Sequence, residues 1–112
     1  MEHKRKIIRI ITCVTKEKVI IGAEELRHAQ EHFSIPDSIL LELIEVVLKD
    51  PTVIFVDDLK TPKVYRLFYR LENKKYLCVV VKTINDECFF CTMYPTGTSI
   101  RNAHKNLKRI TL

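Results

Sequence analysis

Apolar and polar residues alternate from Val64 to Leu71, run unbroken and apolar from Leu77 to Val81, and return as an aromatic-rich stretch from Cys88 to Tyr94. Alternation of period two marks a half-buried strand, and a short continuous apolar run marks a strand buried on both faces. The breaks, Glu72-Asn73-Lys74-Lys75 and Asn85-Asp86-Glu87, are polar and carry the Asn and Asp that tolerate turn dihedrals. Three strands joined by two tight turns follow, with Leu77–Val81 central in the sheet.

Upstream, Lys6–Thr15 and Lys18–Ile21 are β-like and end at Gly22. They read either as a hairpin about Thr15-Lys16-Glu17-Lys18 or as one strand beside an irregular segment. After Gly22 the period changes. Leu26, Ala29 and Phe33 share one face of a helix whose first turn is acidic and whose last carries His32, matching the helix dipole. Ser34-Ile35-Pro36-Asp37 interrupts it. Ile39, Leu40, Leu43, Ile44, Val47 and Leu48 then repeat at helical spacing over Asp37–Lys49, and Asp50-Pro51 stops the second helix. Thr52–Val56 is a short strand, and 57–62 a polar turn into the meander. Helices gathered before antiparallel strands indicate an α+β domain. The expected organisation of the 112 residues is a single domain: a β-like segment over 1–22, a core over 23–95 and a basic tail over 96–112.

Side-chain parity identifies a second sheet face. In Val64–Leu71, Tyr65, Leu67, Tyr69 and Leu71 lie on one side, with Arg66, Phe68 and Arg70 on the other. If the helices cover the more apolar set, both arginines emerge opposite. Two-residue loops at Asn73-Lys74 and Asn85-Asp86 pair Phe68 with Val79 and Val79 with Thr92, which brings Thr92 and Tyr94 to the arginine side. The plain alternative is that Arg66 and Arg70 only solubilise a wet sheet face.

The apolar content of 46% and charged content of 29% are those of a globular chain. A net charge of +5, concentrated at the chain start and in the tail with Arg101, Lys105, Lys108 and Arg109, favours polyanionic partners or a solvated terminus. No apolar run is long enough to span a bilayer, and the opening segment is a poor signal peptide, so the cytoplasm is the expected location. Cys88-Phe89-Phe90-Cys91 has the spacing of a metal pair, but on a strand residues three apart face opposite ways, and no second pair exists. Reduced, buried cysteines are expected, with neither metal nor cofactor. His28 and His32 share a helix flank without a third ligand.

The order of motifs, RHAQEH on a first helix, a second helix after Pro36, Lys-Asp-Pro-Thr-Val-Ile, Tyr-Arg-Leu-Phe-Tyr-Arg, Leu-Cys-Val-Val-Val-Lys and Phe-Cys-Thr-Met-Tyr-Pro, resembles the phage-associated barnase–EndoU–colicin–RelE-like nucleases over Ala23 to about Pro95. The resemblance implies two N-terminal helices packed on a four-stranded antiparallel sheet, five-stranded if the N-terminal segment joins it. It also implies metal-independent RNA cleavage by 2′-OH attack, as a toxin or mobile-element effector, with an antitoxin or immunity protein as partner. On that reading His28 carries the proton, Thr92 and Tyr94 supply hydroxyls, and Arg66, Arg70, Lys82 and Arg101 hold phosphate. The alternatives are a surface histidine at His28, and an RNA-binding or protein-interaction domain on the same scaffold.

Overall fold

A computed structural model of the chain describes residues 6–57, 62–97 and 108–110. The elements run β1 (Ile7–Thr12), β2 (Lys18–Gly22), α1 (Ala23–Gln30), α2 (Asp37–Lys49), β3 (Val53–Asp57), β4 (Lys63–Arg70), β5 (Lys75–Ile84), β6 (Glu87–Gly97) and β7 (Lys108–Ile110). The strands form one sheet in the order β1-β2-β6-β5-β4-β3-β7. β5 is fourth of the seven, as its apolar run demands.

This sheet corrects the expectation of two leading helices on four antiparallel strands. The helices sit between an N-terminal hairpin and the meander, and the sheet is mixed. β1 and β2 turn about Lys16, whose φ of 73° is in the left-handed region. β2 then runs parallel to β6 through Val19↔Cys88 and Ile20↔Phe89. A parallel pair needs a long crossover. Here α1, α2 and three strands lie between its members, so no local pattern announces it. β7 adds to β3 on the far side, with only three residues.

One face of the sheet packs on the helices. Ile54, Leu67, Leu77, Val79, Val81, Phe90 and Met93 meet Leu26, Ala29, Leu40, Ile44, Val47 and Leu48 in a single core. The apolar stripe of α2 supplies five buried residues, while α1 buries only Leu26 and Ala29 and packs chiefly against β6. Tyr65 and Tyr69 border the same core. Arg66, Phe68 and Arg70 therefore lie on the other face, as parity requires.

The registers differ from two simple hairpins in a compensating way. At the β4–β5 turn Asn73 and Lys74 both have positive φ, as in a mirror-image two-residue turn. Lys75 N–H donates to Glu72 O, yet Lys75 O accepts from Leu71 rather than Glu72. That one-residue bulge sets Phe68 opposite Cys78 instead of Val79. In β6 a second bulge, at Cys91, moves the ladder from Val81↔Phe90 to Val80↔Thr92. Two single-residue shifts restore the parity, so Thr92 and Tyr94 still reach the arginine side.

Candidate functional site

The cross-strand registers arrange the helix-free face in rows. One row runs Arg109, Phe55, Arg66, Val80, Thr92; the next runs Val53, Phe68, Cys78, Tyr94; a third carries Arg70, Tyr76 and Thr96. Lys82 lies one row further along, beside Val64 and Phe89. The middle of this face is not the wet surface expected from alternation. Phe68 is 1% exposed and Cys78 0%. Phe68 meets Phe55 and Tyr76 edge-on, with ring centroids 5.8 and 6.4 Å apart, an arrangement that suits the ring quadrupoles.

Around that apolar centre stand a guanidinium and a phenol. Tyr94 lies near enough to both Cys78 and Arg66 for each to influence its ionisation. Burial pushes the Tyr94 pKa up to about 12, and Cys78 adds to the rise, while Arg66 opposes it. Burial likewise pushes Cys78 up to about 11, against the lowering influence of Tyr94 and Arg66. Both groups are neutral near pH 7, and the guanidinium stays charged. The corner thus offers a cation and a neutral O–H donor with no carboxylate among its three members. Such a set receives an oxyanion.

The end of α1 brings an imidazole beside the Tyr94 ring. After Gln30 the chain tightens: Glu31, His32 and Phe33 donate to the carbonyls three residues back, at 3.2, 3.0 and 3.1 Å. Gln30 Nε2 donates to Ile35 O at 2.5 Å and to Asp37 Oδ1 at 2.8 Å, tying this turn to the start of α2. His32, exposed to solvent, sits with its ring centroid 6.4 Å from that of Tyr94.

Of the residues expected from sequence, Arg66, Arg70, Lys82, Thr92 and Tyr94 share the helix-free face, and Arg66 bears on the ionisation of Tyr94. Arg70 is two residues beyond Phe68, its backbone N–H donating to Thr52 Oγ1 at 2.9 Å. His28 is not brought to them. Its ring faces Glu31, Nδ1 to Oε1 3.8 Å, with 55% of the side chain exposed. Arg101 lies outside the described residues. Sequence reasoning treated His32 as a partner of the helix dipole and Arg109 as one charge of a tail. The signal for Arg109 is its neighbour: Ile110 packs on the core, so the residue before it faces the other way.

A second polar group sits at the opposite end of the sheet. The Cys88 thiol donates to Glu17 Oε2 and lies 3.6 Å from Thr83 Oγ1. Burial, followed by the bond to Glu17, pushes Cys88 up to about 11. Cys13, Cys78, Cys88 and Cys91 are all free thiols. Among the described residues no three His, Cys, Asp or Glu side chains gather as metal ligands, and no helix is long and apolar enough to cross a membrane. The chain matches no family model, no curated protein and no solved structure.

Proposed function

We propose that the corner formed by Arg66, Tyr94 and His32 binds an RNA phosphate and supports cleavage of the chain at that point. The observation that carries the reading is Tyr94 on β6, a neutral phenol influenced by the Arg66 guanidinium of β4 and with its ring beside the exposed imidazole of His32 at the end of α1. The resemblance of the motif order to that of the nuclease group, the +5 charge and the further cations Arg70, Lys82 and Arg109 on the same face support it. Arg66 holds the phosphate and Tyr94 donates to a non-bridging oxygen. His32 takes the proton of the ribose 2′-OH as its oxygen bonds to phosphorus. The bond from phosphorus to the 5′-oxygen then breaks, and that oxygen takes a proton from water, leaving a 2′,3′-cyclic phosphate and a 5′-hydroxyl. Tyr94, with a pKa of about 12, suits hydrogen bonding better than proton transfer, whose carriers work best near the ambient pH.

The test is incubation of the purified protein with mixed RNA in the presence of a chelator, with end-group analysis of the fragments. His32→Ala is expected to slow cleavage by about 100-fold or more, the usual worth of a proton carrier, while His28→Ala leaves it unchanged. Loss with His28→Ala and not with His32→Ala would reverse the assignment. RNA retained by the wild-type protein without cleavage selects the second reading, a binding domain on the same face, which the high pKa of Tyr94 favours. If the protein is a toxin, as the resemblance implies, its expression arrests growth and an antitoxin or immunity protein relieves the arrest.

A further inference from the structure

The two edges of the sheet are built differently. β7, at one end, covers three of the described residues, Lys108–Ile110, with Arg109 exposed. β1, at the other, is Ile-Ile-Arg-Ile-Ile-Thr and has no strand on its outer side among the described residues. Ile7, Ile8 and Ile10 are 51%, 38% and 52% exposed. Each is a large β-branched side chain left exposed on a strand whose outward ladder is unused among the described residues. Only a bulge at Ile8, between Ile7↔Gly22 and Arg9↔Ile21, interrupts this edge.

We infer that β1 is a docking edge that takes an extended segment of another protein, alternating apolar and acidic residues, as an eighth strand. The alternation follows from the pleat. Ile10 extends a row through Ile20 and Phe89 on the helix-free face, so an apolar residue across from it lengthens that row. Arg9 pairs with Ile21 and points to the helix side, so the partner's neighbouring residue there meets a guanidinium. From Lys6 to Val14 this chain has two cations and no carboxylate, and a carboxylate is the side chain that complements it. A second copy fits less well. Antiparallel pairing on a two-fold axis at Arg9 sets two guanidiniums side by side, and each copy brings a charge of +5. Strand addition supplies affinity through main-chain bonds and selectivity through alternate side chains.

The experiment titrates the whole isotopically labelled protein with a short peptide alternating valine and glutamate, following backbone amides by NMR and by hydrogen exchange. Controls are the valine–lysine peptide and a valine–glutamate peptide N-methylated along one edge. The expected result is shift and slowed exchange confined to residues 7–12 and the adjoining β2, with neither control binding. Arg9→Glu, a change at an exposed site, weakens the acidic peptide about tenfold and lets the lysine peptide bind. Equal binding of the two peptides, shifts centred on Arg66 and Tyr94, or no change in β1 overturns the proposal. Protection of the β1 amides in the peptide-free protein, with a dimer in sedimentation, also overturns it in favour of self-pairing.

Discussion

Raising the pH tests the buried thiol beneath the proposed site. Cys78, fully buried opposite Phe68, has its pKa pushed from an ordinary 9.0 to about 11. In the unfolded chain the thiol ionises near its ordinary value, so the folded state holds a proton that the unfolded state has lost. The contribution of this proton to stability is complete below about pH 9 and declines as the pH rises towards 11, where the folded thiol ionises too. At about 1.4 kcal/mol per pH unit the loss approaches 3 kcal/mol, a large share of a small domain's total. Cys88 declines over the same interval and Tyr94 somewhat higher, from 10.0 to about 12. Cys78→Ala removes the first of these contributions and keeps the second. Urea unfolding at about pH 8 and about pH 11 measures the difference, and the variant is expected to lose about 2 kcal/mol less than wild type between them. The Tyr94 phenol should also titrate lower in the variant, because Cys78 helps to raise it; its absorbance reports this directly. Equal losses in the two proteins would show that Cys78 is not held as a buried thiol and that the centre of the helix-free face is open to water.

Further outcomes follow from the same geometry. Phe68→Ala, which deletes a ring 1% exposed and its contacts with Phe55 and Tyr76, should cost about 3–5 kcal/mol in urea unfolding. Lys74→Gly relieves a side chain at φ 60° and should raise stability by up to about 1 kcal/mol, with the midpoint moving and the slope unchanged. Arg66→Ala should weaken RNA binding and reduce its dependence on salt by about one phosphate contact. Arg66→Lys should restore the salt dependence more fully than the affinity, because only the guanidinium makes paired bonds.

The meander, α2 and the start of α1 were legible because each is carried by neighbours in sequence, whereas α1 stops at Gln30, short of the His32 and Phe33 expected in its last turn. α2 was legible in its full extent, Asp37–Lys49, since its stripe, the proline before it and Asp50-Pro51 after it are all local. The shared face of Arg66 and Tyr94 emerged from parity although the β4–β5 register was one residue off and the β5–β6 register, correct from the Asn85-Asp86 turn to Val81↔Phe90, became so beyond it, because the bulges at Glu72 and Cys91 cancel. Two features were out of reach. The β2–β6 pairing joins residues nearly seventy apart, Val19 and Cys88, through a contact that neither strand's composition encodes. His28 and His32 are also equivalent by helical spacing. Their difference arises where α1 ends: His32 lies past the helix, in the turn that Gln30 ties to Ile35 and Asp37, and its ring sits beside Tyr94.

The most direct measurement of the central claim is an amide NMR titration of the full chain with a short single-stranded oligoribonucleotide, at low and at moderate salt. The largest shifts are expected at Arg66, Thr92, Tyr94 and His32, fading with salt and absent in Arg66→Ala. Shifts centred on His28 and the outer surface of α1, or none at a concentration of RNA that saturates any binding, would contradict the account.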